Sequence, residues 1–170
     1  MNFYAHLDEL RTEGKFSVLP MMVKSVRIEN IGPIREFSAQ FSKGVNIVYG
    51  PNGCGKTVLI QTLHDFFLSE RGELRHGLTH RSVEGRVTVI PYRPQTTFVY
   101  AEIRSADGAV TRDAKRCALL DEPVDAVTAK DTAEFLAFVR KHFAQAILTT
   151  HNKNKWNLDE ARLVEMDMRR

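Results

Sequence analysis

Two periods of apolar positions recur along the chain, and each predicts one kind of secondary structure. Apolar and polar residues alternate over 23–28 and 37–41, which predicts two half-buried strands joined by a turn at 31–34. Short apolar runs at 45–48 (interrupted by Asn46), 117–120 and 146–148 are typical of strands buried on both faces. Helical spacing follows over 58–67 and 131–143. We therefore predict an α/β fold, with a mostly parallel core sheet flanked by helices and an antiparallel side sheet.

Weaker patterns lie near the ends and in the middle of the chain. Phe3, Leu7 and Leu10 share one helical face, so we interpret residues 1–20 as an N-terminal appendage and residues 21–170 as a single domain. Strands are predicted at 86–92 and 97–104, and a turn signal at 107–108 precedes a further segment at 109–112. Together these segments predict an antiparallel meander. A closing strand is expected over 162–168.

Composition argues against a membrane-spanning protein and against a small disulfide-rich protein. The 170 residues are 43% hydrophobic and 26% charged, as in ordinary globular domains, and no apolar run reaches the ~18 residues of a membrane span. Cys54 and Cys117 are too few for a disulfide framework and are expected to be reduced thiols. With no secretory pattern at the N-terminus, we expect a cytoplasmic protein without a membrane partner. The formal charge of +3 permits contact with an anionic polymer without requiring it.

The clearest chemical motif follows the strand at 45–48. Gly50, Gly55, Lys56 and Thr57 fit the phosphate-loop pattern G-x-x-x-x-G-K-[ST] without a mismatch, between a predicted strand and a predicted helix. This context argues against a chance match in a glycine-rich turn. Backbone N–H groups and the helix N-terminus would hold a phosphate there. The expected nucleotide-binding residues are Gly50, Pro51, Asn52, Gly53, Cys54, Gly55, Lys56, Thr57 and Val58.

Polar residues at other strand ends complete a candidate hydrolytic site. Lys56 would reach the terminal phosphates of ATP, the Thr57 hydroxyl would sit on Mg²⁺, and Asp121 would hold the ion through its water shell, opposite Thr57. Glu122 is placed to orient or deprotonate an attacking water. His151 ends the next strand, where a neutral imidazole would contact the γ-phosphate; a purely structural histidine is the alternative. Lys56, Glu122 and His151 are the expected catalytic residues.

Two further basic features have two interpretations each. Arg35, after the first turn, is either a base or ribose contact or a solvated charge at a strand start. The loop from Arg71 to Arg93 carries arginines at 71, 75, 81, 86 and 93. It either holds the phosphates of DNA, or it is a solvated linker whose arginines pair with local carboxylates.

The motifs together resemble an ABC-type ATPase. The phosphate loop, the run Leu-Leu-Asp-Glu-Pro at 119–123 and Thr-Thr-His at 149–151 carry that resemblance. The opening Lys-Ser-Val-Arg-Ile-Glu-Asn-Ile-Gly-Pro-Ile at 24–34 narrows it to head domains of the SMC and RecF group, which act in chromosome organisation and DNA repair. Over 23–67 and 117–168 it implies a P-loop NTPase fold, Walker A at Gly50–Thr57, Walker B at Leu119–Asp121, catalytic Glu122 and the switch histidine His151.

The chain also departs from that family. Only 64 residues, 57–120, separate Lys56 from Asp121, too few for the family's coiled coil or helical signature lobe beside the predicted meander. The faint signature candidate at 105–108 is interpreted as a hairpin turn. Gln95 is either the family's Q-loop glutamine or a turn residue, and Ala126-Val127-Thr128 lacks the usual aspartate. We expect a minimal head without a signature motif.

The resemblance implies a partner. In the family, ATP lies between two heads, and the signature of one completes the site of the other. We therefore expect Mg·ATP binding with slow hydrolysis until a protein partner supplies those contacts, and ATP control of association with DNA or that partner. The alternatives are a non-catalytic ATP-dependent interaction module and, third, a small-molecule phosphotransferase.

Overall fold

The computed structural model describes residues 2–70, 73–79, 84–92, 116–123, 129–156 and 161–167. Within these ranges eight strands and three helices follow one another, with a short 3-10 turn at Lys153–Lys155. In chain order the elements are α1 (Phe3–Thr12), β1 (Phe16–Leu19), β2 (Val23–Ile31), β3 (Ile34–Gln40), β4 (Val45–Tyr49), α2 (Lys56–Leu68), β5 (Arg86–Pro91), β6 (Cys117–Asp121), α3 (Ala129–His142), β7 (Gln145–Thr150) and β8 (Ala161–Glu165).

Among the described residues five strands form the core sheet, in the order β1-β6-β7-β4-β8. β6, β7, β4 and β8 are parallel neighbours, and only β1 runs antiparallel, at the edge beside β6. The short apolar runs correspond to β4, β6 and β7, which are buried almost throughout. Because parallel strands end at the same edge, the residues after β4, β6 and β7 lie close together.

The side sheet has the order β3-β2-β5 and is antiparallel. Its inner face is apolar: Ile28 of β2 lies opposite Phe37 of β3 and Val87 of β5. On the outer face, Arg27 pairs with Glu29 at 2.8 Å and with Glu36 at 3.3 Å. The predicted α/β class, mostly parallel core sheet and antiparallel side sheet are confirmed.

Apolar side chains pack on both faces of the core sheet. Leu119 and Ile147 belong to a cluster that joins the sheet to α2 and to the inner face of the side sheet. Leu120 and Leu148, the next residues on the same strands, point to the opposite face and pack with α1 and α3. Alternate residues of the apolar runs therefore serve two cores, which explains why these strands show no polar alternation.

The N-terminal segment requires a correction. The helix expected there is present as α1, with Leu7 and Leu10 buried, and Gly14 follows it at φ +75°. However, residues 16–19 form β1, an integral strand of the core sheet, so residue 20 is not the boundary of an appendage. The stretch Phe-Ser-Val-Leu is too short to give a periodic signal, and its pairing with β6 is fixed by tertiary contacts.

Other boundaries shift slightly, and some predictions are not reached. α3 begins at Ala129, and the closing strand is Ala161–Glu165. The strand predicted at 97–104, the segment at 107–112 and the expected absence of a signature lobe concern residues outside the described ranges, as do Gln95, 105–108 and 126–128. Among the helices described, none has the length and apolar character to cross a membrane.

Candidate nucleotide site

The phosphate loop connects β4 to α2 at the carboxyl edge of the core sheet. Gly53 and Gly55 have φ angles of +83° and +103°, a left-handed conformation that favours glycine. At Gly50 the restriction is space, since a Cβ there would lie 2.3 Å from the carbonyl oxygen of Met166. Three positions of the loop are therefore glycine for identifiable steric reasons.

The amino end of α2 faces out of this loop. Its N-cap, Gly55, makes no side-chain capping bond. The first N–H groups of a helix have no partner within the helix and carry partial positive charge. These groups, together with the turn at 50–55, are suited to an anionic group such as a phosphate.

Lys56 is buried in the loop. Its Nζ donates to the carbonyl oxygens of Gly50 at 2.7 Å and Pro51 at 2.9 Å, and it lies 3.8 Å from the Sγ of Cys54. Neutral carbonyls are weaker acceptors than phosphate oxygens. The ammonium can therefore exchange a carbonyl for a phosphate oxygen with a small movement.

Thr57 and Asp121 meet across the site. The hydroxyl of exposed Thr57 donates to Oδ2 of buried Asp121 at 2.9 Å, although 64 positions separate them in sequence. Hydroxyl, carboxylate and phosphate oxygens are the ligands Mg²⁺ prefers, so this pair fits the ion. In the described part of the chain no three His, Cys, Asp or Glu side chains converge, and Mg²⁺ would therefore rely on this pair and on phosphate.

Glu122 and His151 form a second pair beside the first. Nδ1 of His151 lies 3.1 Å from Oε2 of Glu122, and the side chains are 41% and 21% exposed, respectively. Glu122 has φ +45°, an uncommon left-handed conformation for a residue with a Cβ. It lines a cavity of about 240 Å³ with Pro33 and residues 52, 53 and 55–58. The expected base therefore faces the same space as the phosphate loop.

Arg35 lies beside this cavity rather than in it. It lines a smaller space of about 40 Å³ with Phe37, Cys54 and Met166, and Pro33 borders both spaces. The side sheet thus brings Arg35 next to the phosphate loop. The contact of Arg35 with the base or ribose of the nucleotide stays a prediction.

Of the five arginines in the loop from Arg71 to Arg93, the structure describes Arg75 and Arg86. Arg75 donates three hydrogen bonds to buried Asp65 of α2, at 2.7 to 3.0 Å. Burial alone raises the pKa of the Asp65 carboxyl, but the hydrogen bonds and charge of Arg75 outweigh it and hold that pKa below its usual value. Arg75 thus pairs with a local carboxylate. Arg86 is on β5, whereas Arg71, Arg81 and Arg93 lie outside the described residues.

One polar contact at the centre of the site was not predicted. Thr149, fully buried on β7, donates to Oδ1 of Asp121 at 2.7 Å and accepts the backbone N–H of Glu122 at 3.0 Å. From the sequence, Thr149 is part of the Thr-Thr-His run at 149–151 and has no role of its own. A signal was present in retrospect, because a hydroxyl on a central buried strand needs a polar partner.

A phosphate loop after one parallel strand, with an acid pair two strands away, defines a P-loop nucleotide-binding domain. The sequence model of the family described as "AAA domain" matches residues 25–155, and the chain belongs to that family. The DNA repair protein RecN of Mycobacterium leprae is 33% identical over 69 residues, which are 39% of this chain and 12% of that protein.

Two further relatives match shorter stretches. The DNA replication and repair protein RecF of Chlorobium phaeovibrioides is 39% identical over 44 residues, 26% of this chain and 12% of RecF. The Septu protein PtuA of Bacillus thuringiensis is 30% identical over 59 residues, 34% of this chain and 15% of PtuA. The chain thus spans only 12% to 15% of these relatives. Its similarity is to an ATPase head of the SMC and RecF type. No solved structure matches it.

Proposed function

We propose that this chain binds Mg·ATP, hydrolyses it slowly, and uses ATP to control association with DNA or a partner protein. The observation that carries the proposal is the convergence at one sheet edge of three elements. These are the glycine loop with Lys56, the Thr57–Asp121 pair at 2.9 Å, and the Glu122–His151 pair at 3.1 Å. Each supplies a different part of the chemistry that phosphoryl transfer to water requires.

The loop and Lys56 bind the phosphates. N–H groups at the start of α2 and the ammonium of Lys56 hold the β- and γ-phosphate oxygens in place. Thr57 and Asp121 would hold Mg²⁺, which when bound neutralises charge on the phosphates. These interactions fix the position of the γ-phosphate beside Glu122.

Glu122 acts as general base. Its carboxylate accepts a proton from the water that attacks the γ-phosphorus, and ADP leaves from the opposite side. His151 hydrogen-bonds Oε2 of Glu122 and limits the orientations of that carboxylate. The side chains of Glu122 and His151 are partly exposed, so bulk water reaches them. A second chain that covers them would exclude this water and increase the rate of hydrolysis.

The first experiment compares ATP binding and turnover in the wild type, Glu122→Gln and Lys56→Ala. We expect Glu122→Gln to bind ATP normally while its hydrolysis falls about 100-fold or more. Lys56→Ala should lose affinity. Equal turnover in wild type and Glu122→Gln would remove Glu122 from the mechanism. ATP-dependent assembly without turnover, even with the partner present, would instead indicate a non-catalytic module.

DNA is the polymer we propose as a binding partner. RecN is named a DNA repair protein and RecF a DNA replication and repair protein. A basic surface would bind DNA with an affinity that falls as salt rises. Since the guanidinium of Arg75 pairs with Asp65, we assign the contact with DNA phosphates to Arg71 and Arg81.

A matched pair of variants tests the DNA contact. Arg71→Gln with Arg81→Gln should weaken ATP-dependent DNA binding and reduce its salt dependence. Arg140→Gln with Lys141→Gln removes the same charge from α3, which packs on the face of the core sheet opposite to α2, and this control pair should leave DNA binding unchanged. Equal loss in both double variants would show that only net charge matters.

A further inference from the structure

Thr149 occupies the centre of the core sheet. On β7 it lies in register with Asp121 of β6 on one side and Val48 of β4 on the other. It is thus the strand position between the phosphate-loop strand and the acid-bearing strand. Its side chain has no exposed surface.

The Thr149 hydroxyl connects two residues that have different roles. A hydroxyl has one proton to donate, and here it goes to Oδ1 of Asp121 at 2.7 Å. A lone pair of the same oxygen accepts the backbone N–H of Glu122 at 3.0 Å. The other carboxylate oxygen of Asp121 accepts from Thr57. Both oxygens of the expected Mg²⁺ ligand are therefore fixed, one of them by Thr149.

The bond to Glu122 has a conformational consequence. Glu122 has φ +45°, and a residue with a Cβ disfavours this left-handed region. A conformation of this kind persists only where surrounding contacts hold it. The hydrogen bond from the backbone N–H of Glu122 to the hydroxyl of Thr149 is one such contact.

We propose that Thr149 is a positioning residue, whose one hydroxyl sets the carboxylate of Asp121 for Mg²⁺ and the backbone of Glu122 for its work as base. This inference rests on the proposed function. The same oxygen serves both acids, so loss of the hydroxyl should disturb metal binding and turnover together. Loss of strand packing alone would not have that signature.

Three substitutions separate the hydroxyl from the shape of the side chain. Thr149→Val keeps the volume and removes both bonds, whereas Thr149→Ser keeps the hydroxyl. Thr150→Val is the matched control, because Thr150 is also buried and its hydroxyl bonds only Asn152 among the described contacts. All three are compared with wild type for ATP turnover and for the Mn²⁺ affinity of the ATP complex. Hydrogen exchange of the Glu122 amide is measured in the protein without nucleotide.

Thr149→Val should cut turnover about tenfold or more with ATP KM changed less than about threefold, because the ATP contacts of the phosphate loop remain. It should also weaken Mn²⁺ binding and speed exchange of the Glu122 amide. Thr149→Ser and Thr150→Val should resemble wild type in all three measurements. If Thr149→Val behaves like Thr150→Val, the proposal is overturned, and it is also overturned if the amide exchanges faster while turnover and Mn²⁺ affinity stay unchanged.

Failure of the proposed function gives a different result. In that case wild type and Glu122→Gln turn over ATP equally. The role of Thr149 is then decided by the other two measurements. Weaker Mn²⁺ binding together with faster amide exchange in Thr149→Val alone supports positioning of the acids, and any other pattern rejects it.

Discussion

The two ends of α2 hold their charged residues in opposite ways. At the amino end, Lys56 donates to two neutral carbonyls of its own loop, at 2.7 and 2.9 Å. At the carboxyl end, Asp65 receives three hydrogen bonds from Arg75. Both charged groups are buried, yet within the part of the chain that the structure describes only Asp65 has a partner of opposite charge.

We infer from this difference that the amino end of α2 serves ligand binding and that the Asp65–Arg75 pair serves the stability of the fold. Lys56 can exchange its carbonyl partners for an anion that binds more strongly. Asp65 is already satisfied, and the pair attaches segment 73–79 to the helix, helped by the 2.6 Å contact between His76 and Gln61. The amino end of α2 is therefore suited to bind an anionic ligand, whereas the contacts near its carboxyl end stabilise the fold around the site.

Lys56→Ala should have the largest effect, and it should be on binding. We expect ATP affinity to fall about 100-fold, roughly 2.7 kcal/mol, because a charge-assisted contact with the phosphates is lost. The melting temperature should change little, since only neutral carbonyls lose a partner. Titration with ATP and thermal unfolding check both parts. Unchanged affinity would contradict the comparison.

Asp65→Asn should have the opposite profile, with a loss of stability and unchanged ATP affinity. Breaking a buried pair leaves the partner uncompensated, but the Arg75 side chain is 46% exposed, so we expect about 2 kcal/mol rather than the larger cost of a fully buried pair. Urea unfolding measures it. Asp8→Asn is the control, because its 3.9 Å pair with Arg11 is on the surface and should contribute almost nothing.

The same pair should give a pH dependence with a definite sign. Arg75 holds the pKa of Asp65 below its usual value, so the folded state binds a proton less readily than the unfolded state. Its stabilisation is therefore complete above the unfolded carboxyl pKa of about 3.9 and is lost as pH falls through the lower folded value. The stability difference between wild type and Asp65→Asn should stay constant from neutral pH to about pH 5 and shrink below about pH 4. A difference that grows on acidification would reverse the assignment.

Most of the fold could be predicted from sequence because its signals are local. The apolar runs of β4, β6 and β7 and the left-handed φ angles of Gly53 and Gly55 depend on the residues at those positions. The shared edge of parallel strands then implies that Asp121, Glu122 and His151 approach the loop.

What could not be predicted depends on residues distant in sequence. β1 is a four-residue strand that exists because it pairs with β6, about 100 positions later. Thr149 acquires its role only because β7 is inserted between β6 and β4. The Arg75–Asp65 pair was one of two open interpretations, since a sequence shows which charges are present and not which of them meet.

Gly53→Ala should have the smallest effect and tests how open the amino end of α2 is. A Cβ at Gly53 would meet no atom within 4 Å, so its cost is the left-handed φ of +83° alone, about 1 kcal/mol. At Gly55, where φ is +103°, a Cβ would also lie 2.8 Å from Cγ1 of Ile34, so Gly55→Ala should cost clearly more. Urea unfolding and ATP titration of both variants measure the difference. Equal losses would mean that backbone conformation alone, and not the packing of the side sheet against the loop, fixes the shape of the phosphate site.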